Sequence, residues 1–267
     1  MNVRVHLASL GGAALLCALA LGSKKPTDAE MAKEKADARK DYDDYVTKVG
    51  AAYTALAALD KRSLPEKRCN VAAIVAKVPA VEKTPEGTLG GVQRVYSGFL
   101  ARFAKPNDKA AWTKDAGPWA FVTDSGYSGH FESHVDARTP YSVRDTSRRI
   151  HDEFVPRRYM IVIWPTNEAE NHAPVVNPKE DGYVGGNFDG WLFFYDVVGG
   201  AVECQGRMTV ASSDTVTART GGRGIGRLAN KDLKTAVKDD FEDAFEAAMK
   251  RILGDRIRFS SMGSILK

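Results

Sequence analysis

The sequence predicts an α+β fold with N-terminal helices, a central antiparallel sheet or meander and a C-terminal covering helix. Three observations support this. Apolar residues recur at three- and four-residue spacing over about residues 27–105, alternate over about residues 117–220, and return to helical spacing over about residues 230–253. Because the predicted helices and strands are grouped along the chain, an alternating parallel sheet is not expected.

The first helix begins at Thr27, since Thr27 and Glu30 have the spacing of a capping box. Its start is highly charged, so only the later turns are expected to pack. They carry an apolar stripe made of Tyr42, Tyr45, Val46, Val49, Tyr53, Leu56 and Leu59.

Two more helices are predicted in this part of the chain. Ser63 and Pro65 are typical of a helix start, and they predict a short helix that contains Cys69 and ends before Pro79. A further helix is predicted over residues 89–103, where the apolar residues share one helical face.

The central part predicts strands. Residues 119–122 are predicted to form one strand. Residues 159–164 are apolar on both faces, which indicates a central strand that ends at Pro165. Residues 166–182 are polar and predict a loop. Residues 191–195 and 202–210 flank Gly199 and Gly200 and predict a hairpin, with Val202, Cys204, Met208 and Val210 on the apolar face of its second strand.

A third strand over residues 215–219 would extend the hairpin into a meander. The last helix is predicted over residues 230–253, with Asn230 as its cap and Gly254 as its stop. Its apolar stripe would cover the sheet.

Residues 1–22 have the features of a secretory signal: the positive charge of Arg4, an apolar stretch and small residues at its end. Cleavage before Leu21 or before Ser23 would leave a single exported α+β domain that starts at about residue 23. Two alternatives stay open. The segment would act as an uncleaved membrane anchor, or Cys17 would carry a lipid.

The charge and the cysteines agree with an exported protein. Removing residues 1–22 removes Arg4 and no acidic residue, so the net charge changes only from +4 to +3. Such a nearly neutral net charge is not typical of a protein that binds nucleic acid, so no nucleic-acid partner is expected. Cys17 would leave with the signal, and the remaining Cys69 and Cys204 predict a disulfide in an oxidising compartment.

His130 and His134 are the histidines with ligand-like spacing, and Asp136 or His151 would complete a metal site. The surrounding glycines predict a strand or loop, in which histidines four residues apart lie about 13 Å apart. The zincin motif also requires Glu after the first histidine, where Phe131 stands. We therefore expect no metal.

Residues 221–227 are rich in glycine, and Arg219, Arg223 and Arg227 would surround an anion bound there. The segment lacks the Gly-Lys-Ser/Thr end of a phosphate-binding loop, so no nucleotide cofactor is expected. Residues 144–158 are locally basic with interleaved acids, which favours a solvated face.

The aromatic residues 191–195 are expected in the core rather than in a ligand pocket. No catalytic motif is present. The leading hypothesis is an exported envelope or periplasmic protein that binds a protein partner or a small ligand without catalysis. One alternative is a hydrolase with a site gathered from His130, His134, His151 and Asp152, and another is a structural or assembly subunit of the envelope.

Overall fold

The computed structural model describes residues 27–77, 89–108, 158–166, 171–177, 182–216, 229–254 and 257–259. The predicted signal segment with Cys17 and the predicted strand at residues 119–122 lie outside these residues. The described elements, in chain order, are α1 (Asp28–Ala57), α2 (Val71–Lys77), β1 (Leu89–Tyr96), α3 (Ser97–Ala104), β2 (Tyr159–Pro165), β3 (Val175–Asn177), β4 (Gly182–Val184), β5 (Asn187–Asp196), β6 (Ala201–Ala211), α4 (Ala229–Leu253) and β7 (Ile257–Phe259).

Five strands form one sheet in the order β6-β5-β2-β1-β7, and β3 pairs with β4 in a second, two-stranded sheet. The α+β class is confirmed. Strands β2, β5 and β6 are antiparallel neighbours, as predicted. β1 runs parallel to β2 and to β7, so the sheet is mixed rather than wholly antiparallel. The chain between β1 and β2 is long enough for the crossover that a parallel pair requires.

Helices cover both faces of this sheet. The side chains of β5 alternate between two buried clusters, which explains why the strand is apolar on both faces. Phe188, Leu192 and Phe194 pack in the cluster that includes α4 and Ile74 of α2. Trp191, Phe193 and Tyr195 pack in the cluster that includes α1 and α3.

The predicted first helix is confirmed. The backbone N–H of Glu30 donates to Thr27 Oγ1 at 3.2 Å, and the N–H of Thr27 donates to Glu30 Oε2 at 2.8 Å. The exposed first turns are followed by a packed stripe in which Tyr42, Val49 and Leu56 are buried.

The second helix begins later than predicted. α2 starts at Val71, and Asn70 Oδ1 accepts a hydrogen bond from the N–H of Ala73 as a helix cap does. The chain before Asn70 is extended, and Lys67 pairs with Gln205 of β6. Hydrogen bonding to the sheet therefore overrides the helix-start signal at Ser63.

The disulfide joins Cys69 to Cys204, whose Cα atoms lie 4.9 Å apart across 135 residues of sequence. Cys204 is buried in the cluster beneath α4, and Cys69 is partly buried beside it. The bond ties the chain before α2 to β6. Loop closure over such a separation stabilises a fold by about 4–5 kcal/mol in the chain-entropy model.

The predicted helix over residues 89–103 is wrong in its first half, because β1 occupies Leu89–Tyr96 and α3 begins at Ser97. Gly90 and Gly91 disfavour a helix, and the backbone of residues 93–96 pairs with β2 instead. The apolar spacing there fits either structure.

The β5–β6 hairpin is confirmed, and Gly200 in its turn has φ +66°. A bulge beside Tyr195 shifts the alternation, so Val202 packs on the α1 side while Cys204 packs on the α4 side. The prediction of one apolar face for the whole second strand is therefore wrong at Val202.

Three further predictions have mixed outcomes. The loop at residues 166–182 contains β3 and the first residue of β4, which pair through residues 175–177 and 182–184. Thr215 and Val216 are not in a strand, and the rest of the predicted third strand lies outside the described residues. α4 begins at Ala229, which places Asn230 inside the helix, and it ends as predicted at Gly254 with φ +79°.

Candidate functional site

A groove of about 640 Å³ lies where β2 ends, β5 begins and the chain leaves α1. We call it the Trp164 groove. Its principal side chains come from three distant parts of the chain: Lys61, Arg62, Trp164, Thr166, Asp189 and Arg207. The groove lies on the α1 side of the sheet. Trp191 packs in the cluster that includes α1, and Arg207, its cross-strand partner, lies on the same face.

Asp189 and Arg207 form a two-pronged ion pair in the groove. The guanidinium Nε of Arg207 donates to Asp189 Oδ1 at 3.1 Å, and an Nη donates to Oδ2 at 3.0 Å. The hydrogen bonds and charge of Arg207 lower the pKa of Asp189, with help from the hydroxyls of Thr166 and Thr209, and against a smaller effect of burial. The carboxylate is therefore ionised and already well provided with donors.

The backbone around Asp189 is held in place. Its N–H donates to Asn171 Oδ1 at 2.6 Å, and its carbonyl oxygen accepts from Asn171 Nδ2 at 2.9 Å. The next residue, Gly190, has no room for a side chain, since a Cβ would lie 2.5 Å from the carbonyl oxygen of Trp164. The groove wall is thus rigid at this point.

Lys61 packs against the aromatic wall. Its Nζ lies 4.1 Å from the ring centroid of Trp164 and donates to the carbonyl oxygens of Leu56 at 2.7 Å and Leu59 at 3.3 Å. Burial lowers the pKa of Lys61, and the charge of Asp60 offsets only part of this effect. The ammonium has a third proton, which these two carbonyl groups do not use.

The other carboxylate of the groove, that of Asp60, is also provided with donors. Its Oδ2 accepts from Ser63 Oγ at 2.7 Å, and its Oδ1 accepts from the N–H of Arg62 at 3.1 Å. These bonds, led by that of Ser63, lower the pKa of Asp60 against the effect of desolvation, with smaller contributions from the charges of Arg62 and Lys61. The side chain of Arg62 is exposed and has no ion-pair partner within the described residues. The three basic and two acidic groups therefore leave the groove with one excess positive charge.

Most of the candidate site residues predicted from the sequence lie outside the residues that the structure describes. His130, His134, Asp136, His151, Asp152, Arg219, Arg223 and Arg227 lie outside the described residues, as do residues 144–157. The described part of the chain contains no group of three or more His, Cys, Asp or Glu that would hold a metal ion. The aromatic residues 191–195 are buried in the core, as predicted, but Trp191 also lines the Trp164 groove, which the prediction did not foresee.

The residues of the Trp164 groove were missed as a site. The sequence does carry one indication of this site, at Asp189 and Gly190. A carboxylate and a glycine interrupt an otherwise apolar strand there. The indole N–H of Trp191 supports the groove by donating to the carbonyl oxygen of Lys61 at 3.0 Å. Lys61 and Arg62 carry no such signal, since charged residues after a helix are common.

No helix in the described part of the chain is long and apolar enough to span a membrane. Comparison of the chain with models of protein families, with curated proteins and with solved structures finds no match.

Proposed function

We propose that this protein is an exported binding protein that holds a small anionic ligand in the Trp164 groove without catalysing a reaction. The observation that carries the proposal is the excess positive charge. Asp60 and Asp189 are already supplied with hydrogen-bond donors, whereas the guanidinium of the exposed Arg62 interacts with Asp60 through charge alone and forms no salt bridge within the described residues. A ligand carboxylate or phosphate would form one.

The shape and the electrostatics of the groove support the same ligand class. A volume of about 640 Å³ suits a small molecule. An anion beside Lys61 would offset the burial that lowers the pKa of this side chain. The groove surface is mainly polar, and Trp164 and Leu59 add a smaller apolar part, so the ligand would combine an anionic group with a small apolar part.

Export is supported by the sequence of residues 1–22 and by the Cys69–Cys204 disulfide, which is typical of oxidising compartments. An envelope or periplasmic location follows from this reading. Intact-mass measurement of the protein from its native cell distinguishes the three forms. A mass lacking about 22 residues indicates cleavage, a full-length mass indicates an anchor, and a lipid adduct indicates attachment at Cys17.

The ligand class is tested by titrating the protein with benzoate, benzamide and inorganic phosphate in a calorimeter. Benzoate and benzamide have nearly the same shape, so tighter binding of benzoate isolates the anionic group, and inorganic phosphate shows whether phosphate is accepted instead. Arg62→Gln should weaken anion binding about tenfold, or about 1.4 kcal/mol. The control is Arg39→Gln, because Arg39 lies on α1 away from the groove and pairs with Asp43 at 3.0 Å.

Equal binding of benzoate and benzamide would contradict the proposal, and so would an Arg62→Gln variant that keeps full affinity. The hydrolase alternative depends on His130, His134, His151 and Asp152, which the structure does not describe, and it stays a prediction. Native mass spectrometry tests that alternative through bound metal and tests the assembly-subunit alternative through the oligomeric state.

A further inference from the structure

β6 is an edge strand of the five-stranded sheet, and part of its outer edge is covered by the chain before α2. The N–H of Lys67 donates to the carbonyl oxygen of Gln205 at 2.9 Å, and the N–H of Gln205 donates back to Lys67 at 3.0 Å. Lys67 forms an isolated bridge, so among the described residues the backbone pairing at this edge does not continue along β6.

The backbone groups at the outer edge follow from this bridge. Gln205 directs its N–H and carbonyl outward, and alternation along the strand makes Arg207, Thr209 and Ala211 do the same. The even-numbered residues of β6 direct their backbone groups toward β5. The next even-numbered residue shows the same direction, because the N–H of Ser212 donates to the carbonyl oxygen of Gly186 at 2.9 Å.

Most of these outward groups have no partner in the part of the chain that the structure describes. The N–H of Arg207 donates to Glu66 Oε1 at 3.3 Å. Within the described residues no backbone partner pairs with the carbonyl of Arg207 or with the N–H and carbonyl of Thr209 and Ala211. All three residues are exposed. Five backbone hydrogen-bonding groups of β6 are therefore left without a partner by the described residues.

The open stretch has defined ends. Lys67 occupies the edge at Gln205, and at the other end the N–H of Ser213 donates to Asp240 Oδ2 at 2.8 Å. Residues 207–211 form an edge site between these ends. A five-residue stretch is long enough for a short extended peptide, whereas it would bury less surface than a stable dimer normally needs.

A groove of about 750 Å³ lies beside this edge site, between β6 and the end of α4. It carries the exposed side chains of Arg68 and Arg251, neither of which has an ion-pair partner within the described residues. Glu66 is the carboxylate among its lining residues. Its charge is therefore positive on balance, and it favours acidic side chains.

We propose that residues 207–211 bind an extended acidic peptide segment of another protein by strand addition. The peptide backbone pairs with the open groups of Thr209 and Ala211, and alternate side chains of the peptide lie over the groove. Acidic residues at those positions meet Arg68 and Arg251. This edge site uses the backbone of Arg207 and Thr209, whereas the Trp164 groove uses the side chains of these residues. The proposal does not depend on the ligand proposed for the Trp164 groove.

The test uses a fluorescein-labelled hexapeptide of alternating glutamate and valine, with a lysine–valine peptide as its matched control. Fluorescence anisotropy should show binding of the acidic peptide at least about tenfold tighter than that of the basic one. The Arg251→Glu substitution should weaken binding of the acidic peptide by a similar factor. Arg62→Gln, which alters the Trp164 groove, should leave its affinity unchanged and so separates the two proposals.

Thr209→Pro is the sharper variant, because it removes an outward N–H that no described residue uses. Proline is tolerated at such edge positions, so the fold should persist by circular dichroism while peptide binding is lost. Thr209→Val keeps the N–H and should bind normally. Peptide binding that survives Thr209→Pro would overturn the proposal.

Hydrogen exchange on the wild-type protein provides a check that does not depend on folding of the variant. The amide of Thr209 should exchange quickly, and the inward amide of Met208 should be protected. A protected Thr209 amide in the free protein would overturn the proposal. A concentration-dependent dimer that Thr209→Pro abolishes in sedimentation experiments would instead assign the edge to a second copy of the chain.

Discussion

Two arginine–aspartate pairs lie toward opposite ends of β5, and they differ in burial although their chemistry is the same. Asp196 and Arg158 are joined at 2.8 Å, with side chains 4% and 25% exposed. Asp189 and Arg207 are joined at 3.0 Å, with side chains 18% and 61% exposed. The buried Asp196–Arg158 pair therefore has a structural role, whereas the more exposed Asp189–Arg207 pair is accessible to a ligand.

The partners of Asp196 explain this difference. Its Oδ1 accepts from the N–H groups of Val198 at 3.0 Å and Gly199 at 2.9 Å, so the carboxylate holds the hairpin turn. An Nη of Arg158 donates to the carbonyl oxygen of Lys77, which attaches the end of α2 to the same pair. An ion pair with such backbone partners leaves little room for a ligand, and its position is set by the elements that it connects.

The largest expected effect is that of Asp196→Asn, which replaces a buried carboxylate and leaves the partly buried Arg158 without its salt bridge. We expect the free energy of unfolding to fall by about 3 kcal/mol, the lower end of the range for breaking a buried pair, because Arg158 keeps some contact with water. Urea unfolding measures the change. A loss below about 1 kcal/mol would show that the pair does not act as a buried one.

The pH dependence of stability should show the same contrast. Burial opposes the ionisation of Asp196, but the hydrogen bonds and charge of Arg158 and the N–H groups of the turn outweigh it, so the pKa of Asp196 is lowered. A carboxyl group with a lowered folded-state pKa stabilises the fold above its ordinary pKa of about 3.9. This contribution is lost as the pH falls through the lowered pKa.

Urea midpoints measured between about pH 2 and pH 5 check this prediction, since that range spans the ordinary pKa of an aspartate. Asp196→Asn should flatten the fall in stability more than Asp189→Asn does. Equal flattening by the two variants would contradict the difference that we draw between the pairs.

The smallest effect is expected for Arg207→Gln. Its guanidinium is 61% exposed, and exposed ion pairs contribute about 0–1 kcal/mol. The loss of stability should shrink further at about 1 M salt, where screening acts within about 3 Å. A salt-independent loss of 3 kcal/mol would mean that the Trp164 groove is part of the structural framework.

The sequence predicted those elements whose apolar spacing had a single interpretation. α1, the β5–β6 hairpin and α4 were found because long stripes, a Gly-Gly turn and a terminal glycine each favoured one structure. β1 was missed because the spacing of Val92, Val95 and Tyr96 fits a helix as well as a strand. The backbone pairing with β2 that resolves the ambiguity involves residues more than 60 positions away.

The candidate site was harder to foresee than the fold. Lys61, Asp189 and Arg207 are ordinary polar residues in the sequence, and only the side chain of Asp189 interrupts an apolar pattern. Their meeting depends on the register of β5 against β6 and on the hydrogen bond from Trp191 to Lys61. Neither can be read from local spacing.

The local order of residues was enough to predict the α+β class, most of the faces that become buried and the two cysteines available for pairing, because periodicity and composition act within a few residues. The mixed strand order, the rigid wall at Asp189 and the open edge of β6 depend on contacts between distant segments. Their free energy comes from long-range backbone pairing and burial, which compete with local preference and here outweigh it at Ser63 and Leu89.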